Sequence, residues 1–208
     1  MADVSAAQVK ALRDATGAGM MDCKKALVEA DGDLARATEI LRERGLASVA
    51  KRAGRSANQG LVDAYIHFNN MVGVLVEINC ETDFVANTPE FRQLVKDIAL
   101  HMASPAAPTF LSRDEVPTQV LETERRIAEA QAREQGKPDN VVPRIVEGKI
   151  EAYFKDHCLL DQPYVKDDSK TVQQLLDESS ARVGEKVAVR RFVRYKLSKD
   201  AEAEAGAE

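Results

Sequence analysis

The sequence predicts an α+β fold: three short helices in a bundle, then a core domain in which a small three-stranded antiparallel sheet is packed with helices. Three observations carry this. Apolar residues recur every three to four positions over residues 5–45, the period changes to two from Leu61, and an alternating segment returns at Lys186–Leu197. The expected boundaries are 1–55 for the bundle with a basic linker, 56–198 for the core, and 199–208 for an acidic tail.

At 208 residues, 44% of them hydrophobic and 30% charged, the chain is long enough to bury a core in one or two domains. Its 29 basic and 34 acidic side chains leave a net charge of −5. Phosphate binding needs a basic surplus on at least one face, so no direct nucleic-acid ligand is expected. No apolar run approaches the roughly 18–20 residues of a membrane span, and the chain opens into an amphipathic helix without a signal-peptide pattern. A cytoplasmic protein with no membrane contact is expected. Cys23, Cys80 and Cys158 lie far apart with no C-x-x-C pair, and are expected to be reduced and mostly buried.

Ser5 can cap the first helix, whose inner positions are Val9, Leu12 and Ala15 or Thr16, and Gly17-Ala18-Gly19 stops it. The second runs from Met20 or Met21 to Ala30, with Cys23, Ala26, Leu27 and Ala30 on one side and Asp31-Gly32 as a left-handed cap. Asp33 caps the third, which turns Leu34, Ala37, Ile40 and Leu41 inward and ends at Gly45. A bundle of about 40 residues is marginal alone, which favours a docking module. The seam Thr16–Met21 sets two methionines beside a flexible glycine pair; either both suit an uneven contact surface, or one fills the core and the other is exposed. Lys51–Gly60 reads as a linker and domain boundary whose three positive charges touch phosphate or an acidic partner, or are solvated.

In the core, Val62, Ala64, Ile66 and Phe68 alternate with Asp63, Tyr65 and His67; Val72, Val74, Val76 and Ile78 alternate after the Asn69-Asn70 turn. A two-residue loop would pair Phe68 with Met71 and set Val72 opposite His67, splitting these apolar sets between faces, whereas a three-residue loop, Asn69–Met71, sets Phe68 opposite Val72 and unites them. A three-residue loop or a bulge is therefore expected unless both faces are covered, with His67 on the wetter face. The second strand leads into Asn79–Asn87, and Thr88-Pro89-Glu90 announces the next helix, so this loop is anchored at both ends. Asp83 and Phe84 stand at its middle, and a ring at a loop tip is costly to expose unless something covers it. In the free chain Phe84 is expected to fold partly back onto the Phe91 and Leu94 face of the following helix.

That helix carries Phe91, Leu94, Val95, Ile98 and Met102 inward. A charged helix from about Glu115 to Gln135 is expected to lie on the surface, with a thin stripe of Val116, Val120, Ile127 and Ala128. An amphipathic helix with Ile145, Ile150, Tyr153 and Phe154 follows, and a short one begins at Thr171. In the last strand the odd positions are apolar except Arg191, while Arg190, Arg194 and Lys196 take even ones, as suits a half-buried third strand of the hairpin's sheet. Asp200–Glu208 is acidic and apolar-poor, and disorder is expected there.

No nucleophile and base form a recognisable pattern, and no G-x-S-x-G, H-E-x-x-H or G-x-x-x-x-G-K motif occurs. The reading is of a non-enzyme without cofactor or metal. Glu81 and Asp83 are a conceivable metal pair, yet two carboxylates fall short of the roughly six oxygens a hard cation takes.

The run Leu12-Arg13-Asp14-Ala15-Thr16-Gly17-Ala18-Gly19-Met20-Met21-Asp22-Cys23-Lys24-Lys25-Ala26-Leu27, followed by Gly32-Asp33 and Leu41-Arg42-Glu43-Arg44-Gly45, closely resembles the N-terminal module of the bacterial elongation factor Ts family. Val74-Leu75-Val76-Glu77-Ile78-Asn79-Cys80-Glu81-Thr82-Asp83-Phe84-Val85-Ala86 resembles that family's core signature. Gln162-Pro163-Tyr164-Val165 and Arg191-Phe192-Val193-Arg194-Tyr195 resemble its C-terminal part. The resemblance implies a nucleotide exchange factor for elongation factor Tu, the GTPase that delivers aminoacyl-tRNA to the ribosome. It also implies that the N-terminal module is ubiquitin-associated-like and docks on the GTPase through Gly19, Met20, Met21 and Lys24. Thr82, Asp83, Phe84 and Val85 would push into the nucleotide domain near its magnesium site. Longer members carry a duplicated core and an inserted coiled coil, whereas this chain holds one core copy; a homodimer through the sheet ending in Val187–Leu197 would replace the missing half. Two other readings stay open. An adaptor for ubiquitin-like partners would need no loop such as Asp83-Phe84, and an RNA-binding helper would need a basic face.

Overall fold

Ser5 starts the first helix, α1 (Ala6–Thr16), through a capping box: its hydroxyl accepts the Gln8 N–H at 3.2 Å, and the Gln8 side chain accepts the Ser5 N–H at 3.0 Å. The computed structural model describes residues 4–197, so the tail expected at 199–208 lies outside the described residues. Gly17 ends α1 at φ 69°, a conformation that strains any residue with a Cβ. α2 (Met20–Glu29) follows, and Asp33 caps α3 (Leu34–Arg52) by accepting the Ala35 and Arg36 N–H groups at 2.8 and 3.1 Å. The three helices share a core of Val9, Leu12, Cys23, Ala26, Leu27 and Ile40.

Two expectations about α3 fail. Leu34 is exposed, because it stands at the first position of the helix, a turn before Ala37 and Ile40 fill the core. The helix also runs through Gly45 to Arg52. A lone glycine costs about 1 kcal/mol in a helix, which the strong helix formers on both sides tolerate when no proline follows. Its smallness is used: a Cβ on Gly45 would lie 3.3 Å from the Ala181 side chain. The linker therefore begins after Arg52, whose guanidinium is buried rather than solvated, donating to Ser48 Oγ at 2.6 Å and the Ser180 carbonyl at 3.2 Å.

The remaining α-helices and strands are β1 (Gln59–Ile66), β2 (Val72–Cys80), α4 (Asp83–Ala86), α5 (Pro89–Met102), α6 (Thr118–Glu134), α7 (Val142–His157), β3 (Pro163–Tyr164), β4 (Asp167–Thr171), α8 (Val172–Val183) and β5 (Ala188–Lys196). The fold is α+β, with a small antiparallel sheet in the order β1-β2-β5. β3 and β4 form a second, two-stranded sheet that the sequence reading did not foresee. Among the described residues no helix is long and apolar enough to cross a membrane.

The hairpin register is the one that splits the apolar sets. His67 N–H donates to the Val72 carbonyl at 2.9 Å and the His67 carbonyl accepts the Asn70 N–H at 2.8 Å, so Phe68–Met71 make the turn instead of Asn69–Met71. Asn70 takes the left-handed conformation (φ 57°) and the Asn69 side-chain oxygen accepts the Met71 N–H at 3.0 Å. Local asparagine turn chemistry thus overrides apolar matching across the strands. Val74, Val76 and Ile78 are buried, while Val62, Ile66 and Phe68 are exposed and His67 is half-buried rather than on the wetter side. On β5, Val189 is buried but Val193 and Tyr195 are exposed.

The chain divides into two compact units, neither continuous in sequence. Residues up to Leu61, Ile78–Arg92 and Gln174–Ala188 make one; Val62–Glu77, Gln93–Gln173 and the residues from Val189 make the other. Inside the second, α6 packs along α7, and Val116, Ile150, Phe154 and Cys158 fill the seam. Arg113 locks this hairpin, donating to Asp161 at 2.8 Å and to both Glu151 oxygens at 2.9 and 3.0 Å while lying over the Phe154 ring.

The same unit holds a buried neutral histidine. His101 Nδ1 accepts the Val165 N–H at 3.2 Å, which leaves the proton on Nε2 to donate to Gln162 Oε1 at 2.9 Å; the Gln162 amide in turn donates to the Asp156 carbonyl at 2.8 Å. Burial pushes the His101 pKa below its ordinary value of 6.5, with the Gln162 bond opposing. The unfolded chain therefore binds a proton more readily than the native one, so His101 adds stability that is complete above about pH 6.5 and is lost as pH falls toward its native pKa. Urea midpoints measured from pH 7.5 to pH 5 are expected to fall with pH, and His101→Gln to show a shallower decline over the same window.

Candidate partner-binding site

The signature segment read as a loop is a single helical turn set on the end of a strand. β2 ends at Cys80, and Thr82 caps α4: its carbonyl accepts the Ala86 N–H at 3.3 Å and its hydroxyl accepts the Val85 N–H at 3.4 Å. Ala86 is buried, and at about 100° per residue a side chain two positions earlier points the opposite way. That residue is Phe84, which is 83% exposed. The expectation that it folds back onto Phe91 and Leu94 is therefore overturned; Ala86 holds the inward side of the turn. Asp83 is exposed beside the ring, and Thr82 and Val85 are half-buried.

A ring of hydrogen bonds holds the turn from behind. One oxygen of Glu185 accepts the N–H groups of Glu81 and Thr82 at 3.1 and 3.0 Å, and the other accepts the Thr82 hydroxyl at 2.6 Å. Glu81 replies: its carboxylate accepts the Lys186 N–H at 2.7 Å and faces Arg55 at 3.4 Å. The Lys186 N–H first, and Arg55 after it, hold the Glu81 carboxyl below the usual carboxylate range. The Lys186 ammonium donates to the carbonyls of Ala53 and Arg55 at 2.6 and 3.0 Å, just past the end of α3. The buried Cys80 thiol donates to the Thr82 carbonyl at 3.1 Å, and burial, reinforced by Glu185, pushes its pKa up. Glu81 is thus occupied within the fold by Lys186 and Arg55. Among the described residues no group of three or more His, Cys, Asp or Glu side chains is placed to hold a metal ion.

The docking candidates stand in the same unit. Gly19 is the N-cap of α2, Met20 and Met21 are both exposed, and Met21 and Lys24 line a shallow groove with Lys25, Val28 and Glu29. Neither methionine is in the core, which overturns the reading that one of them fills it. The stretch that holds the turn also meets the bundle: Ser180 accepts Arg52, Ala181 faces Gly45, and the Arg182 side chain lies across Gly17, where a Cβ would sit 2.8 Å from its Nε. Sequence reasoning missed Glu185 and Lys186. Two charged residues between a helix and a strand give no local sign of a partner 104 positions away.

The family model described as Elongation factor TS matches residues 6–201. The chain belongs to the elongation factor Ts family. Elongation factor Ts of Thermoanaerobacter sp. (strain X514) is 60% identical over 192 residues, covering 92% of this chain and 94% of that protein. Elongation factor Ts of Desulforamulus reducens is 55% identical, covering 97% and 93%, and that of Moorella thermoacetica 54% identical, covering 93% and 95%. Membership in the elongation factor Ts family gives the chain a role in the elongation stage of protein biosynthesis.

Proposed function

We propose that this protein is a guanine-nucleotide exchange factor for elongation factor Tu: it binds the GDP-bound GTPase, disturbs its magnesium site and so promotes GDP release, allowing GTP to rebind. The observation that carries the reading is Phe84, a large ring held outward on a pinned turn, which buries little in the free fold and suits insertion into a partner. The ubiquitin-associated-like bundle docks through Gly19, Met20, Met21 and Lys24, and Thr82, Asp83, Phe84 and Val85 act as the wedge. Magnesium neutralises nucleotide phosphates, so displacing it weakens GDP; Phe84 supplies apolar burial, and Asp83 competes with phosphate or rearranges the magnesium shell. By linkage, a factor that prefers the nucleotide-free partner lowers GDP affinity by the same factor, and each tenfold is about 1.4 kcal/mol. The protein performs no bond chemistry itself, needs no cofactor, and works in the cytoplasm. Elongation factor Tu loaded with labelled GDP is expected to release it faster when this protein is added; an unchanged release rate overturns the proposal.

A second reading, the homodimer, is supported by the sheet. Val62, Ile66, Leu75, Val193 and Tyr195 are exposed on β1, β2 and β5, with Phe68, Met71 and Leu197 at one end. An antiparallel sheet that faces water normally presents polar side chains there, and an apolar face of this kind marks a contact. A second copy stacked face to face about 10 Å away covers it with a self-complementary surface, as two-fold symmetry requires. Light scattering at micromolar concentration, without the GTPase, is expected to give twice the chain mass, and Leu75→Glu to give the chain mass; a monomeric unmodified protein rejects the dimer.

A further inference from the structure

We propose that Glu185 is the positioning residue of the exchange wedge: its carboxylate sets the direction in which α4 presents Asp83 and Phe84. The inference rests on the exchange reading above. Where a strand stops and a helical turn begins, the intervening N–H groups have no ladder or helix partner. Here they belong to Glu81 and Thr82, and a single side chain takes both together with the Thr82 hydroxyl, at 3.1, 3.0 and 2.6 Å. A carboxylate, with two oxygens and several lone pairs, is the side chain that can accept three donors at once.

The contact is reciprocal. Glu185 binds the backbone of residues 81 and 82, while the Glu81 side chain binds the backbone of Lys186 at 2.7 Å, so neither segment can rotate without breaking bonds in both directions. Glu185 is itself held, for its carbonyl accepts the Ser180 hydroxyl at 2.5 Å. A wedge does work on its partner only to the extent that its own support does not yield, which is why a contact residue needs a rigid layer behind it. Glu185 therefore acts through Thr82 and is no part of the contact surface.

The test measures GDP release from elongation factor Tu over a range of factor concentrations, for the unmodified protein, Glu185→Ala, Glu185→Gln and Phe84→Ala. Glu185→Ala is expected to lower the maximal rate about tenfold and to leave the half-saturating concentration within about twofold, since the Gly19–Lys24 surface is untouched. Glu185→Gln keeps an oxygen toward both N–H groups and turns its amide toward the Thr82 oxygen, so it is expected to restore most of the rate. In the free protein, amide hydrogen exchange over residues 81–86 is expected to quicken about tenfold in Glu185→Ala and to stay near normal in Glu185→Gln. Should Glu185→Ala lose its cooperative unfolding transition, Glu185→Asp replaces it; one methylene shorter, it cannot reach all three donors, and the same loss of rate is expected. A full maximal rate for Glu185→Ala or Glu185→Asp, with Phe84→Ala slow, overturns the positioning role while the exchange reading stands. If the unmodified protein fails to accelerate release, the exchange reading falls, and unchanged amide exchange in the variant would separately show that Glu185 does not hold the turn.

Discussion

Replacing Phe84 by alanine is expected to lower the maximal rate of GDP release from elongation factor Tu by about ten- to a hundredfold, with no cost to the fold. Burying a phenylalanine side chain gives about 1.5–3 kcal/mol, and each 1.4 kcal/mol is a factor of ten, so losing that burial in the complex has this size. In the free protein the ring is 83% exposed and buries little. Substitutions of that kind stay within about 0.5 kcal/mol, so the thermal midpoint should move by no more than about 2 °C. Stopped-flow release of labelled GDP and a thermal unfolding scan on the same preparation check both halves. A normal rate removes Phe84 from the wedge, and a large fall in midpoint would mean that the ring serves the fold after all.

The opposite signature is expected seven residues later. Phe91 is fully buried on α5, and Phe91→Ala is expected to destabilise the protein by about 3–5 kcal/mol through lost burial and the cavity left behind. For a chain of this length each kcal/mol lowers the midpoint by about 2–4 °C, so a drop of about 6–20 °C is expected. At temperatures well below the new midpoint, GDP release should remain close to normal, because Phe91 is no part of the presented surface. Two phenylalanines on either side of one proline therefore separate binding from stability.

Most of the helical architecture was legible. Ser5, Asp33, Thr88-Pro89 and the spacing of Val9, Leu12, Cys23, Ala26 and Leu27 are local signals, and local signals survive folding. What sequence could not supply was non-local. Gly45 looks like a helix stop until Ala181 is seen against it, and Arg52 looks like linker charge until its Ser180 partner is placed. The hairpin failed for a different reason: matching apolar faces is a sound rule when one face is covered, but the Asn69-Asn70 turn sets another register and leaves Val62, Ile66 and Tyr195 outside. At the site, Asp83 and Phe84 were readable as an odd pair to expose. That Glu81 beside them is structural, and that Glu185 stands behind them, was not readable, because the partners lie more than a hundred residues apart.

The unit that carries α2 and the α4 turn is closed by its last piece, Gln174–Ala188, long after its first has been made. At bacterial elongation speeds of about 5–20 residues per second, that interval is on the order of ten seconds. Until α8 and Glu185 arrive, α1–α3 lack the Ser180–Arg182 contacts and the α4 turn lacks its support. Contacts so distant along the chain form slowly and late. A factor that serves translation elongation thus completes the support of its α4 turn only once residues 174–188 have been made.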